Sequence, residues 1–361
     1  MGLDFMTVSS RLVKKGKDTF ITEVYPEFLV GRTKDLMIRG GEAYAVWDEQ
    51  AGKWQQDMND ILPVIDREIK KYCDEKFPNN PVVPLYLRNE SNKMIYHWLQ
   101  YTTKAMPDNY VHLDSKLIFD NDENKRENYA TKRLPYHLED KETPAYNKLT
   151  SVLYSPAELH KIEWCIGAIL SGDSKYIQKF LVITGDAGSG KSTMLNIIQM
   201  LFEGYYISFE SKSLVSGGQF GLEQFKSNPL VAIEHDGNLS HIMDNSRLNS
   251  LVSHEEINMR ELYHASYTTR FDTFLIMASN LAVEITDAKS GLTRRMIDAE
   301  PTGDKVGKRE YIELMNNIKF ELGGIAKHCL DLYLSDKYYY DSYRPEKQIS
   351  RTYRFYDFIE Y

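Results

Sequence analysis

The run Gly185-Asp186-Ala187-Gly188-Ser189-Gly190-Lys191-Ser192, followed by Thr193, fits the phosphate-loop pattern G-x-x-x-x-G-K-[ST] without a mismatch. Its glycines let the backbone curl until successive N–H groups point at a β-phosphate. Lys191 adds a charge toward the γ-phosphate, and the Ser192 hydroxyl suits Mg²⁺. Hydrolysis also needs an acid beyond a second strand, and Leu230-Val231-Ala232-Ile233 is followed by Glu234-His235-Asp236. Either carboxylate could serve. Glu234, next to the strand, is favoured for the Mg²⁺ shell or for polarising the attacking water, with Asp236 as second acid or as the cap of its turn with Gly237. Asn280, at the end of the apolar run Phe274–Ser279, offers an amide that orients water without adding negative charge, or else caps the next turn. Arg294 and Arg295 precede another apolar segment, where a guanidinium neutralises transition-state charge or forms an ordinary surface pair.

These residues need a sheet to position them. Phe180–Thr184 is a short apolar run suited to a buried parallel strand, and Met194, Leu195, Ile197, Ile198, Leu201 and Phe202 recur at helical spacing behind the loop. Ahead of both, Ser155-Pro156-Ala157-Glu158 is a capping box that starts a helix running to about Ser171. The expected fold is α/β, a P-loop core with a parallel sheet. Between the second and third strands, Ile257–Leu262 and Thr268–Phe271 flank Tyr263-His264-Ala265-Ser266-Tyr267, the pattern of a β-hairpin with an aromatic tip. Tyr263 there can stack on a base, and Arg260 or His264 can donate to phosphate, although residue types alone fit an ordinary hairpin equally.

With 361 residues, 42% of them apolar and 27% charged, the chain is globular and too long for one small core. Its longest apolar runs fall short of the roughly 20 residues a membrane span needs. The opening Met1-Gly2-Leu3-Asp4-Phe5 has an acid where a signal peptide carries base, so a cytosolic protein is expected. Three widely spaced cysteines, Cys73, Cys165 and Cys329, fit buried thiols rather than disulfides or zinc. A net charge of −8 argues against a protein that coats nucleic acid with its whole surface but leaves room for a local basic channel.

The order GDAGSGKST, LVAIEHD, LNSLVSHEEINMRELYHASYTTRF, FLIMASN, GLTRRMID resembles the superfamily 3 helicases, a branch of the AAA+ ATPases, and looks closest to the helicase portion of poxvirus and phage type primase-helicases. The resemblance covers roughly residues 110–300. It implies ATP and Mg²⁺ as ligands, a homo-hexameric ring, 3′ to 5′ movement on single-stranded DNA during viral or mobile-element replication, and the cytoplasm of a host cell as location. His264, sixteen residues ahead of Asn280, matches the position of the family's DNA-contacting tip, and Arg295 rather than Arg294 matches its arginine. His235 separates an acidic pair that many relatives place side by side, which leaves the division of roles open. A primase or polymerase would be a further domain or a partner. A P-loop small-molecule kinase and a nucleotide-binding replisome scaffold are the competing functions.

The expected organisation is an N-terminal accessory domain at 1–150, a helicase core at 151–304 and a C-terminal helical segment with an aromatic tail at 305–361. Short helices and loops are expected to fill the N-terminal half, with amphipathic helices at Asp60–Phe77 and Met94–Met106. The C-terminal helix is expected to break near Gly323-Gly324, with Tyr311, Ile312, Met315, Ile318, Leu322, Ile325, Cys329 and Leu332 inward. Arg344, Lys347, Arg351 and Arg354, interleaved with Tyr343, Tyr353, Phe355 and Tyr356, would pack on a neighbouring subunit or touch nucleic acid.

Overall fold

A computed structural model describes residues 2–14, 16–31, 33–79, 99, 101–114, 116–123, 125–211, 213, 222–237, 246–259, 267–280 and 291–345. The chain divides into two compact units, Met1–Ile118 with Asp122–Arg133, and Phe119–Asn121 with Leu134–Tyr361. The division does not coincide with the one expected after residue 150. Residues 134–150 and the C-terminal segment both group with the P-loop unit.

The first unit is richer in strand than the sequence suggested. β1 (Met6–Lys14) and β2 (Phe20–Phe28) form an antiparallel hairpin, and β3 (Leu36–Arg39), β4 (Glu42–Asp48) and β5 (Lys53–Gln55) form a three-stranded sheet. Charged residues on an exposed face concealed the alternation. Arg11 sits opposite Glu23 in the ladder, and its Nε donates to the Glu23 carboxylate at 3.0 Å. Such cross-strand pairs support a sheet. α1 (Met58–Lys76) starts at Asp57, whose side chain accepts from Asn59 N, and buries Ile61, Val64, Ile65 and Ile69 along one stripe. Residues 99 and 101–105 are helical, in accord with the expected second helix, whose start lies outside the described residues.

The second unit opens with α2 (Pro144–Leu153) and α3 (Pro156–Leu170). Ser155 caps α3 by accepting from Glu158 N at 3.4 Å, while the Glu158 carboxylate reaches Glu300 N at 2.9 Å instead of returning to the cap. There follow β6 (Phe180–Thr184), α4 (Lys191–Leu201), β7 (Tyr206–Ser208), β8 (Val231–Glu234), α5 (Ser246–Val252), β9 (Ile257–Met259), β10 (Tyr267–Thr269), β11 (Phe274–Ser279), β12 (Met296–Ala299), α6 (Lys308–Ile318) and α7 (Leu322–Ser335). Five strands make one parallel sheet in the order β12-β6-β11-β8-β7. Parallel strands must be covered on both faces. Phe180, Val182, Ala232, Leu275 and Met277 belong to a core with Phe209, Phe225, Leu248, Leu251 and Phe271, and the alternate residues Leu181 and Ile183 are equally buried. The core is mixed α/β with a five-stranded parallel sheet, as expected.

The C-terminal helices refine one expectation and correct another. The break near Gly323-Gly324 falls just ahead of them, between Ile318 and Leu322, and the two glycines lie inside α7 where only glycine lets neighbouring backbone approach: a Cβ on Gly323 would meet His137 O at 1.9 Å. Leu314, not Ile312, faces inward, with Ile312 half-exposed. The described part of the aromatic tail packs on its own chain. The Tyr340 hydroxyl lies 2.7 Å from His160 Nδ1, its ring stands edge-on to Trp164, and the Tyr343 hydroxyl bonds Asp298. Lys347, Arg351, Tyr353, Arg354, Phe355 and Tyr356 lie outside the described residues. All three cysteines are buried free thiols. Among the described residues no helix is long and apolar enough to cross a membrane.

Candidate nucleotide site

β6 ends at Thr184 and α4 begins at Lys191, so the loop between them has a strand and a helix N-terminus on either side. Gly188 (φ +77°) and Gly190 (φ +107°) adopt left-handed backbone that side chains resist, and a Cβ on Gly190 would press on Leu153 at 3.0 Å. Asp186, Ala187 and Gly188 form the exposed lip, Ser192 is exposed and Thr193 half-buried. Lys191 is buried and donates to Gly185 O at 2.6 Å and Asp186 O at 2.8 Å. Burial pulls its ammonium below the ordinary value, while Asp186 and Asp236 act in the opposite sense. Ser189 Oγ is buried with no hydrogen-bond partner among the described residues. A spare hydroxyl, curled glycines and a helix N-terminus fit a bound polyphosphate.

Because the strands are parallel, β6, β11 and β8 all end at the same edge of the sheet. Backbone bonds stitch these ends together. Gly185 N donates to Ser279 O at 3.2 Å, and Gly237 N to Ala278 O at 2.7 Å. Asn280 Nδ2 reaches Asp236 Oδ1 at 3.3 Å, so the amide and the second acid meet, with both side chains exposed. Glu234 is buried at the end of β8, and its Oε1 accepts from Ser211 N and Ser211 Oγ at 3.0 Å each. Gly237 leaves room for it, since a Cβ there would lie 2.9 Å from Glu234 Oε2. Among the described residues no group of three or more His, Cys, Asp or Glu could hold a metal ion. Mg²⁺ bound with a nucleotide takes several ligands from phosphate and water, so Ser192 and one acid would suffice as the protein's contribution.

The arginine pair is not at this edge. Met296 pairs with Phe180 at the start of β6, and Arg294 and Arg295 stand just ahead of it. At the rise of a strand, the run from Phe180 to Gly185 puts about 15 Å between them and the loop. Arg294 is exposed. Arg295 is buried, its Nη1 donates to Gly291 O at 3.1 Å and Asn249 Oδ1 at 3.5 Å, and burial with Arg294 nearby lowers its pKa. β9 and β10 pair antiparallel, Met259 opposite Tyr267, as the hairpin reading requires. The tip residues Arg260, Tyr263 and His264 lie outside the described residues.

Sequence reasoning missed Ser211 and Lys305. Ser211 lies beyond the short β7 in a stretch without a motif. Lys305 follows the last strand, and its Nζ lies 3.7 Å from where a Cβ on Gly188 would be. Only the polar turn Thr302-Gly303-Asp304-Lys305, directly after an apolar strand at the loop's side of the sheet, hinted at it.

Among solved structures, the chain is similar to an A-form apo structure of the NrS-1 C-terminal region, with 13% identity over 80% of this chain and 65% of that one and a TM-score of 0.46. Another apo structure of that region gives 15% identity over 54% of this chain and 49% of that one, with a TM-score of 0.43. A JCV helicase bound to a small molecule gives 13% identity over 50% and 55%, with a TM-score of 0.30. The chain spans less than two thirds of the length of each of these three structures. No curated protein matches the chain. A family model described as a family of unknown function, DUF5906, matches residues 183–295, a span that runs from the end of β6 to Arg295 and includes the phosphate loop, both acids, Asn280 and the hairpin.

Proposed function

We propose that the chain is the motor of an ATP-driven DNA helicase that works as a ring of identical subunits. The observation that carries this reading is the stitching of the phosphate loop, the Glu234–Asp236 turn and Asn280 at one carboxyl edge of a parallel sheet. In such a site positioning and electrostatics do most of the catalysis. Loop N–H groups and Lys191 receive the β- and γ-phosphates. Mg²⁺ held by Ser192 and an acid would offset charge on the phosphate oxygens. Glu234, braced by Ser211, polarises the attacking water or shares in holding the metal. Asp236 and Asn280, bonded to each other, orient the water from the side facing Lys191.

Two further features favour a helicase over a small-molecule kinase. A hairpin is inserted between β8 and β11, the acid strand and the Asn280 strand, so nucleotide state at that edge can move it. Its tip carries Arg260, Tyr263 and His264, chemistry suited to single-stranded DNA. The arginine pair stands about 15 Å from its own loop, where only a neighbouring copy's nucleotide is within reach. A hexamer is the ring the family resemblance implies, with a primase or polymerase as further domain or partner.

ATP hydrolysis measured with and without single-stranded DNA tests the reading. Wild type is expected to hydrolyse ATP and to be stimulated by DNA, and Lys191→Ala to lose turnover with its fold intact. Wild-type turnover in Lys191→Ala would sink the loop as the site. Phosphate transfer to a small acceptor, with no response to DNA, would favour the kinase. Glu234→Gln is expected to bind ATP and hydrolyse it poorly. If Asp236→Asn is inactive while Glu234→Gln works, the two acids exchange roles.

A further inference from the structure

The segment after β12 returns to the phosphate loop. Its backbone is fixed at several points: Thr302 N donates to Leu153 O and Thr302 Oγ1 to Val152 O, both at 2.8 Å, and Asp304 N donates to Thr302 Oγ1 at 3.1 Å. Pro301 lies against Gly185, with its Cδ 3.3 Å from a Cβ built there. The turn at Gly303 (φ +87°) then sends Lys305 over Gly188. Lys305 is exposed, and among the described residues it makes no ion pair or hydrogen bond, although Asp304 is its neighbour. Behind it a cleft of about 250 Å³ runs from Gly188, Gly190 and Thr193 to Leu149 and Leu153 of α2, Val306, and Tyr311 of α6.

We propose that Lys305 is a second cation for the nucleotide's polyphosphate, supplied by the same chain as Lys191, and that the cleft behind it takes the nucleoside. The proposal rests on the nucleotide reading above and adds what that reading leaves open: which residues beyond the loop hold the ligand. A triphosphate carries more negative charge than Lys191 and a metal ion offset, and an unpaired ammonium held above the loop by a braced backbone costs little reorganisation on binding. Leu149, Leu153 and Val306 supply apolar walls, and Tyr311 a ring for a base to lie against. Asp304, on the same cleft, is an acceptor placed for a ribose hydroxyl.

Calorimetric binding of ATP and of inorganic tripolyphosphate, both with Mg²⁺, separates the parts. Lys305→Ala is expected to weaken both ligands about tenfold, with Lys305→Arg restoring them. Tyr311→Ala is expected to weaken ATP by a similar factor and to leave tripolyphosphate at the wild-type affinity. Thermal unfolding of each variant confirms that the fold is kept. If Lys191→Ala binds ATP as wild type does, the loop reading itself fails. If Lys191→Ala loses ATP while Lys305→Ala and Tyr311→Ala both bind normally, the loop stands and this proposal is overturned. Loss with Lys305→Ala alone overturns the nucleoside placement, and loss with Tyr311→Ala alone overturns the second cation.

Discussion

At the residue scale the acid of β8 depends on two small neighbours. Ser211 gives Glu234 Oε1 two donors, and Gly237 leaves its other oxygen room that a Cβ at 2.9 Å would occupy. A hydrogen bond to a charged group is worth roughly 1.5 to 3 kcal/mol. Ser211→Ala keeps the backbone donor and loses the hydroxyl, so kcat for ATP is expected to fall about tenfold while KM changes little. Gly237→Ala forces the carboxylate to move and should cost more in kcat than Ser211→Ala. Steady-state kinetics of the two variants check this, and equal loss in KM and kcat would mean that both residues act through the fold. Ser211 was not legible in the sequence, because it and Glu234 come from different elements and only tertiary structure brings residue 211 to residue 234. The placement of Glu234, Asp236 and Asn280 at one edge was legible because each sits at or just beyond the end of an apolar run and parallel pairing brings such ends together, while the loop with Lys191 and Ser192 is read from its glycine spacing.

At the scale of elements, local signals decided what could be read. Ser155 at the cap of α3 and the apolar runs of β6, β8 and β11 each point to one structure, and the structure follows them within a residue or two. Strands of the first unit carry Arg11, Glu23 and Glu27 on an open face, so their alternation reads as scattered charge. Gly167 was silent in the sequence, yet a Cβ there would meet Cys329 O at 2.0 Å where α3 crosses α7. Lys179 joins three elements in the same unadvertised way. Its buried ammonium, just ahead of β6, donates to Arg294 O at 2.7 Å and Tyr343 O at 3.1 Å. Burial first, and then Arg344, pull its pKa from 10.5 down to about 8, against Asp341 and the Cys165 thiol. Between those two values the unfolded chain holds a proton that the folded chain has released, so this site makes stability rise with pH across that window. Below it the ammonium is charged in both states and the contribution is constant. The neutral amine still has hydrogens for both carbonyls. Urea unfolding of wild type and Lys179→Met at pH 7.5 and 10 is therefore expected to give a stability difference that shifts in favour of wild type at the higher pH. Parallel pH profiles would remove Lys179 from this account.

At the scale of the whole molecule, the sheet separates the two halves of the expected chemistry. The loop stands at the carboxyl edge of β6 and the arginines at its amino edge, a direct consequence of the parallel pairing of β12 with β6. A single chain therefore cannot bring its own arginine to its own phosphate, but a ring that apposes the two edges of successive copies can. Arg295 is the member of the pair expected to act there. Its Nη1 has acceptors at 3.1 and 3.5 Å, its buried Nε has none among the described residues, and its charge is held in a site that disfavours it. A buried donor left without an acceptor is costly, so a swing of this side chain out to a neighbouring copy's phosphate would relieve it. Arg294 is exposed, and its carbonyl is what Lys179 and Arg344 hold. Mixing Lys191→Ala with Arg295→Ala subunits, each inactive alone, should restore hydrolysis at the interfaces where an intact Lys191 meets an intact Arg295. Turnover is expected to pass through a maximum as the mixing ratio is varied. Recovery in the Arg294→Ala mixture instead would transfer the role to the exposed neighbour, and no recovery in either series, with mixed oligomers demonstrated by native mass spectrometry, would end the assignment of the pair to a neighbouring copy.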